Sequence, residues 1–394
     1  MKKLISLLVS LFLLVGLFAV PAMAEGVSKD EIKIGFIYIG DENEGYTYAH
    51  YAGAMAMKEA LGLSDSQLIF KMNTPESSAA YDAAIDLVDS GCNIIFANSF
   101  GFEDYIVMAA SENPDVQFCH ASGVQASASG LENMHNYFTA IHEARYVSGV
   151  VAGLKLNDMI ANGTITAETA KMGYVGAFPF AEVVSGYTAF YLGARSVCPS
   201  VTMDVLYTNS WSDAALEKVT AEALIAGGAV LIGQHSDTTG PSVACEAAGV
   251  PIVGYNISMI PTAPTQALTS SAAVWGPYVT YAVQSVIDGT VIDTDYCKGF
   301  AEGAVQVTEL NANTVVAGTE EKVAEVIATL TSGELKVFDC STFTVGGEVV
   351  TTYNTVYGFE GNELIADGHF REAELRSAPC FELRIDGINE KTAE

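Results

Sequence analysis

From Ile32 onward the chain alternates short apolar runs with longer stretches whose apolar residues recur every three or four positions. "IKIGFIYI" is β-rich; after the polar loop "GDENE" comes "YTYAHYAGAMAMKEAL", which carries a helical period. The alternation continues through the strand "QLIFKM", the helix "SAAYDAAIDLVDSG", the strand "NIIFANS", the helix "EDYIVMAASEN" and the strand "VQFCHAS". Short buried strands separated by helices predict an α/β fold, a parallel sheet with helices on both faces.

After the long helical stretch "IHEARYVSGVVAGLKLNDM" the order restarts. "AKMGYVGAF" parallels "IKIGFIYIG", and "AEVVSGYTAFYLGARSV" parallels the first helix, down to a shared Gly-Tyr-Thr at Gly45 and Gly186. Strand "VTMDVLYT", helix "DAALEKVTAEALIAGG", strand "AVLIGQHS", helix "GPSVACEAAG" and strand "VPIVGY" follow. Gly91 to Ser99 and Gly228 to Ser236 are equally spaced, each pair enclosing a buried strand. Repetition of both residues and element order predicts two similar Rossmann-like lobes. We expect an N-terminal lobe from 25–140 plus 266–305 and a C-terminal lobe from 141–265. The crossovers would lie near 140, 265 and 305. From 306 to 394 the chain is rich in Thr, Gly and Val and reads as short strands and loops packed over the lobes.

Residues 1–24 fall outside this scheme. "MKK", the apolar run "LISLLVSLFLLVGLFAV" and the Ala-x-Ala of "PAMA" form a cleavable export signal, with no cysteine nearby to accept a lipid. The expected product is periplasmic or extracellular and not a lipoprotein. Net charge is −29 and becomes more negative when Lys2 and Lys3 leave. Such a surface argues against nucleic acid or anionic lipid as partner. Seven cysteines are scattered without Cys-x-x-Cys, so no metal site is expected. Cys340 and Cys380 are the pair best placed to form a disulfide in an oxidising compartment.

Ligands of an open parallel sheet bind beyond the carboxyl ends of its strands. Those loops hold Tyr46, Phe100, Phe102, Phe178, Phe180, Trp211 and Tyr255, with Asn98, Asn209, Asp237 and Asn256, and almost no Lys or Arg. Ring faces with a few short polar groups suit a flat, weakly polar heterocycle. No Gly-rich phosphate loop is present. Neither GxSxG nor HExxH occurs, and His120 and His235 at strand ends read as structural histidines. His235, Ser236 and Asp237 are sequence neighbours on a strand and cannot converge as a triad.

The segments "IKIGFIYIG…EGYTYAH", "NSFGFED", "VQFCHASG", "EARYVSGVVAG", "TNSW", "GQHSDTTG", "WGPY" and "TSGELKVF" resemble the basic membrane protein family, type I periplasmic binding proteins of ABC importers. The resemblance implies a purine base or nucleoside held between aromatic rings of two lobes, an ABC permease as partner, a monomer, no cofactor and no catalysis. It places stacking rings at Tyr46 and Trp211, an edge-reading group at Asp237, a floor at Phe100, Gly101 and Phe102, and further contacts at Phe178, Tyr255 and Trp275. Nucleoside receptors of that family hold ribose with an Asp after the fourth strand, where this chain has Ser122. A carboxylate lost there removes a charge-assisted acceptor for sugar hydroxyls, so an adenine-like free base is expected. The alternatives are a nucleoside receptor, a ligand sensor for a membrane receptor, and a purine nucleosidase, which would need an Asp-rich loop that is absent.

Overall fold

The computed structural model describes residues 26–356 and 358–391; the predicted export signal at 1–24 lies outside the described residues. The first lobe runs β1 (Ile34–Ile37), α1 (Gly45–Leu61), β2 (Leu68–Lys71), α2 (Ala79–Asp89), β3 (Ile94–Ala97), α3 (Glu103–Glu112), β4 (Gln117–Ala121), α4 (Ala126–Ser129) and β5 (Met134–Thr139). Helix α5 (Ile141–Ala161) leads into the second lobe: β6 (Lys171–Gly176), α6 (Ala181–Val197), β7 (Thr202–Tyr207), α7 (Ala214–Ala226), β8 (Leu231–Gln234), α8 (Gly240–Ala248), β9 (Ile252–Tyr255) and β10 (Ala267–Ala273). The chain returns through α9 (Gly276–Asp288) and β11 (Asp295–Lys298). It then adds β12 (Val305–Val307), α10 (Thr319–Thr331), the hairpin β13 (Ile365–Ala366) and β14 (His369–Phe370), and β15 (Ile388–Glu390).

The sheet orders are β11-β5-β4-β3-β1-β2 and β12-β10-β9-β8-β6-β7-β15. Shifting each label by five turns the five-strand block of the first into that of the second, so the duplication extends to topology. It extends also to detail. Gly91 (φ 82°) and Gly228 (φ 92°) end α2 and α7 in the left-handed region, where a side chain would be strained. Beside them, Lys33 Nζ donates to the Ser90 carbonyl at 2.8 Å and Lys171 Nζ to the Gly227 carbonyl at 2.6 Å. The Gly-Tyr-Thr match is looser: Gly45 opens α1, whereas Gly186 sits inside α6.

Three expectations need correcting. The strand at 267–273 is not part of the first lobe: as the counterpart of β5 it pairs in parallel with β9, and the chain crosses back only afterwards, at α9 and β11. The segment 306–394 is not strands and loops alone. "TEEKVAEVIATLT" forms α10, whose Val323, Val326 and Leu330 are buried on one face, and β15 extends the second sheet beside β7. Cys340 and Cys380 are buried free thiols.

Each sheet is covered on both faces. Phe36, Phe96, Tyr137, Trp275 and Tyr278 fill one side of the first sheet under α1 and α9, and Leu87, Phe102, Ile106 and Phe118 the other. In the second lobe α5 and α6 pack so tightly that a Cβ on Gly193 would lie 2.0 Å from the Tyr146 carbonyl oxygen. The C-terminal segment joins that core through Phe338, Phe343, Phe370 and Phe381, and the rings of Phe338 and Phe381 stack at 4.1 Å. It also reaches the first lobe, where the Ser377 N–H donates to Asp295 Oδ1 at 2.5 Å.

Candidate functional site

A cleft lies where the carboxyl ends of both sheets face each other. Its walls are Ile39, Tyr46, Asn98, Ser99, Phe100 and Ser122 from the first lobe and Glu182, Trp211, His235, Asp237 and Tyr255 from the second. The cleft, including its mouth, encloses about 440 Å³. The walls touch at the mouth: the Gly45 N–H donates to the Asp237 carbonyl at 3.3 Å, and Phe100 meets Phe180 with ring centres 6.0 Å apart. A Cβ on Gly45 would come within 3.2 Å of that carbonyl, so glycine permits this approach.

On the first lobe the Glu44 carboxylate caps α1, accepting from the N–H groups of Tyr46 (2.6 Å) and Thr47 (2.8 Å). This fixes Tyr46 on the first turn, and its hydroxyl donates to the Asn98 carbonyl at 2.5 Å. Asn98 Oδ1 accepts from the Ile39 N–H at 3.0 Å, leaving its buried Nδ2 without a partner in the fold. Buried Glu103 holds the Ser122 loop by accepting from the N–H groups of Val124 and Gln125 at 2.6 and 2.7 Å. Buried His120 bonds the Ser99 carbonyl at 2.7 Å and so works behind the wall.

The second wall is acidic. Glu182, in the first turn of α6, has Oε1 3.3 Å from His235 Nε2. Burial, reinforced by nearby Arg145, pushes the imidazole down to about 4, so at neutral pH an uncharged ring donates to a carboxylate. Asp237 accepts from Asn256 Nδ2 at 3.0 Å and donates its N–H to the Trp211 carbonyl at 3.0 Å. Burial first, then Glu44, Glu217 and Glu182, hold its carboxyl well above the usual range, against Arg145. Arg145 itself stands behind the wall: its guanidinium lies 3.7 Å from the centre of the Tyr255 ring and donates to the Gln234 carbonyl at 2.6 Å.

The profile described as Bmp, ABC transporter substrate-binding protein PnrA-like, matches residues 32–336. The chain belongs to the Bmp family of ABC transporter substrate-binding proteins. Among curated relatives of this Bmp protein, a purine-binding protein of Brucella abortus is 34% identical over 313 residues, 79% of this chain and 84% of that one. A putative ABC transporter glucose-binding protein of Haloferax volcanii, TsgA13, is 28% identical over 81% of this chain and 77% of its own. An ABC transporter solute-binding protein from Aeropyrum pernix shares the fold at a TM-score of 0.64 and 17% identity, covering 78% of this chain and 93% of that structure.

Six of the ten residues singled out from the Bmp-like sequence stand on the cleft wall: Tyr46, Phe100, Ser122, Trp211, Asp237 and Tyr255. Four do not. Phe102 is fully buried in the core under α2 and α3, and Trp275 is buried with its ring stacked on His50 at 4.1 Å. Phe178 backs the wall, with Phe180 at 5.1 Å and Trp211 at 5.1 Å. Gly101 turns away, its N–H donating to Glu76 Oε1 at 2.8 Å. Glu182 carries no local mark in the sequence, and His235, read there as a structural histidine, borders the cleft with its ring hydrogen-bonded to Glu182. A carboxylate two residues after Phe180, at a helix start, looks like an ordinary first-turn acid; only the fold turns it toward the cleft.

Among the described residues no helix is long and apolar enough to cross a membrane, and no cluster of three His, Cys, Asp or Glu side chains is placed to hold a metal ion.

Proposed function

We propose that this Bmp-family protein is an extracytoplasmic receptor that captures a free purine base, adenine-like, and delivers it as a monomer to an ABC permease. The observation that carries the reading is the cleft itself: Tyr46 and Phe100 of the first lobe and Trp211 and Tyr255 of the second line one cleft whose polar groups are short and whose wall holds no Lys or Arg. Ring faces supply contact area to a flat heterocycle, and Asp237 reads its edge. The Brucella abortus relative, a purine-binding protein, supports the same class of ligand. Ser122 favours a base over a nucleoside. Its hydroxyl donates to the Ala121 carbonyl at 2.5 Å and puts no carboxylate against a ribose.

The cycle needs no bond chemistry. The lobes are joined by the segment leading into α5 and by the connections after β10 and β11, and they close by hinge motion around the ligand. Contacts at Gly45–Asp237 and Phe100–Phe180 belong to the closed form and bury the ring. The closed surface is what the permease would recognise. Thermal unfolding against adenine, guanine, hypoxanthine and their nucleosides tests this. A base at 100 times its Kd adds about 2.7 kcal/mol of stability when it binds only the folded state. Shifts with bases and none with nucleosides are expected; shifts with nucleosides alone would overturn the base assignment.

A further inference from the structure

The polar groups of the cleft are unevenly divided, and the division has a chemical reading. On the second-lobe wall stand two carboxyl groups, Glu182 and Asp237. Each has one oxygen engaged, Glu182 Oε1 with His235 and Asp237 Oδ1 with Asn256. Glu182 Oε2 and Asp237 Oδ2 have no hydrogen-bond partner among the described residues, on a wall that carries no Lys or Arg; Glu182 is the charged acceptor there, while Asp237, held toward its protonated form by burial, can accept or donate. The opposite wall offers the reverse: Asn98 Nδ2 is fully buried, lines the cleft through its residue, and has no acceptor in the fold. A buried donor left without an acceptor is destabilising, and a ligand acceptor would satisfy it.

We infer that Glu182 is the specificity-determining residue of this cleft, accepting N–H donors of an aminopurine on the second-lobe wall while the Asn98 amide donates to a ring acceptor on the first. The inference rests on the purine reading above and narrows it. Adenine carries a 6-amino group, and guanine an N1–H beside a 2-amino group; either offers donors to the Glu182 carboxylate and a ring nitrogen or oxygen to Asn98. Hypoxanthine lacks an amino group and leaves one carboxylate oxygen facing a weak partner or none. Urate, an anion at neutral pH, meets the Glu182 carboxylate and is excluded by repulsion. A site built around hydrogen bonds discriminates chiefly through the groups a wrong ligand leaves unpaired.

His235 acts as the positioning residue. Its neutral ring holds Glu182 Oε1, and its other face packs on Tyr255 with ring centres 4.8 Å apart. A purely structural pairing of Glu182 with His235 would leave ligand preference untouched when the carboxylate becomes an amide. Glu182→Gln keeps the size and an oxygen for His235 and removes the charge, which makes it the discriminating change.

The test is calorimetric titration of the mature wild-type protein, Glu182→Gln and Asn98→Ala with adenine, guanine, hypoxanthine and urate. In the wild type, adenine or guanine should bind at least tenfold more tightly than hypoxanthine, and urate should not bind. Glu182→Gln should weaken the preferred aminopurine roughly 10- to 100-fold, the range of a charge-assisted hydrogen bond. Hypoxanthine should change less than threefold. Asn98→Ala should weaken all bound purines alike. The aminopurine-to-hypoxanthine ratio is read within one preparation, so a partly unfolded variant does not mimic the effect. An unchanged ratio in Glu182→Gln, with purines still bound, overturns this inference and leaves the purine reading standing. Absence of binding by every purine to wild type overturns both.

Discussion

Replacing Trp211 by alanine probes the ring wall at its most informative point. Trp211 is half-buried and contacts Phe178 and Phe180 of its own lobe, at 5.1 and 6.2 Å between ring centres. Truncation therefore removes a face of the cleft; Trp211 packs only on the margin of the second-lobe core, so some stability is lost but folding should survive. Stacking of a base on an aromatic side chain contributes about 1–3 kcal/mol as judged by alanine substitution. Affinity for the base should fall roughly 5- to 150-fold, while Trp211→Phe should retain most of it. The chain has two tryptophans, which gives a direct assay. Trp275 is 1% exposed and stacked on His50 in the first-lobe core, so ligand-induced fluorescence change belongs to Trp211. Titration of wild type should quench or shift the emission, and Trp211→Ala should lose that response along with the affinity. Binding by Trp211→Ala within twofold of wild type, or a response that survives there and vanishes in Trp275→Phe, would refute the reasoning.

Asp237→Asn should separate stability from binding. The carboxyl titrates well above its unfolded value of about 3.9, so the native state holds its proton longer, and apo stability falls as pH rises through that window. The amide should therefore raise the unfolding temperature at pH 7 while weakening the base; a lower unfolding temperature at pH 7 contradicts the burial argument. Ser122→Asp should let adenosine bind more tightly by at least tenfold in a calorimetric titration, since Ser122 at φ 63° is a backbone position that Asp tolerates; unchanged adenosine affinity contradicts the ribose argument. Gly45→Val should hinder closure against Asp237 and Ile257, seen as a faster dissociation rate by stopped flow; an unaltered rate means the lobes need not meet there. Phe381→Ala should cost about 3–5 kcal/mol in denaturant unfolding, because that ring is fully buried and stacked on Phe338; a loss below about 1 kcal/mol would mean the C-terminal segment is not integral to the second lobe.

The sequence pattern reached the two-lobed α/β fold because buried parallel strands write continuous apolar runs, as in "NIIFANS" and "VPIVGY". It passed over β5, whose six positions are all buried but include His135 and Asn136. Those polar groups are tolerated because Gln117 and the Ala126 N–H satisfy them, partners that only the fold supplies. The boundary at 266 failed for a related reason: a strand's sheet is decided by long-range pairing, here with β9, and "QALTSSAA" carries no mark of its partner. In the cleft, strand-end position was a good guide to loops and a poor one to side-chain direction. Phe100 and Phe102 flank one glycine, yet the first is 42% exposed at the mouth and the second fully buried. Glu182 was illegible for the opposite reason, since nothing local distinguishes a first-turn acid on solvent from one turned into a cavity.

The most direct measurement is a calorimetric titration of the mature protein with adenine, adenosine and glucose under identical conditions. Glucose enters because the Haloferax volcanii relative bears a putative glucose-binding name. The account predicts one-to-one binding of adenine, at least tenfold weaker binding of adenosine, and no heat with glucose. Binding of glucose without adenine would contradict the reading of the aromatic cleft as a purine site.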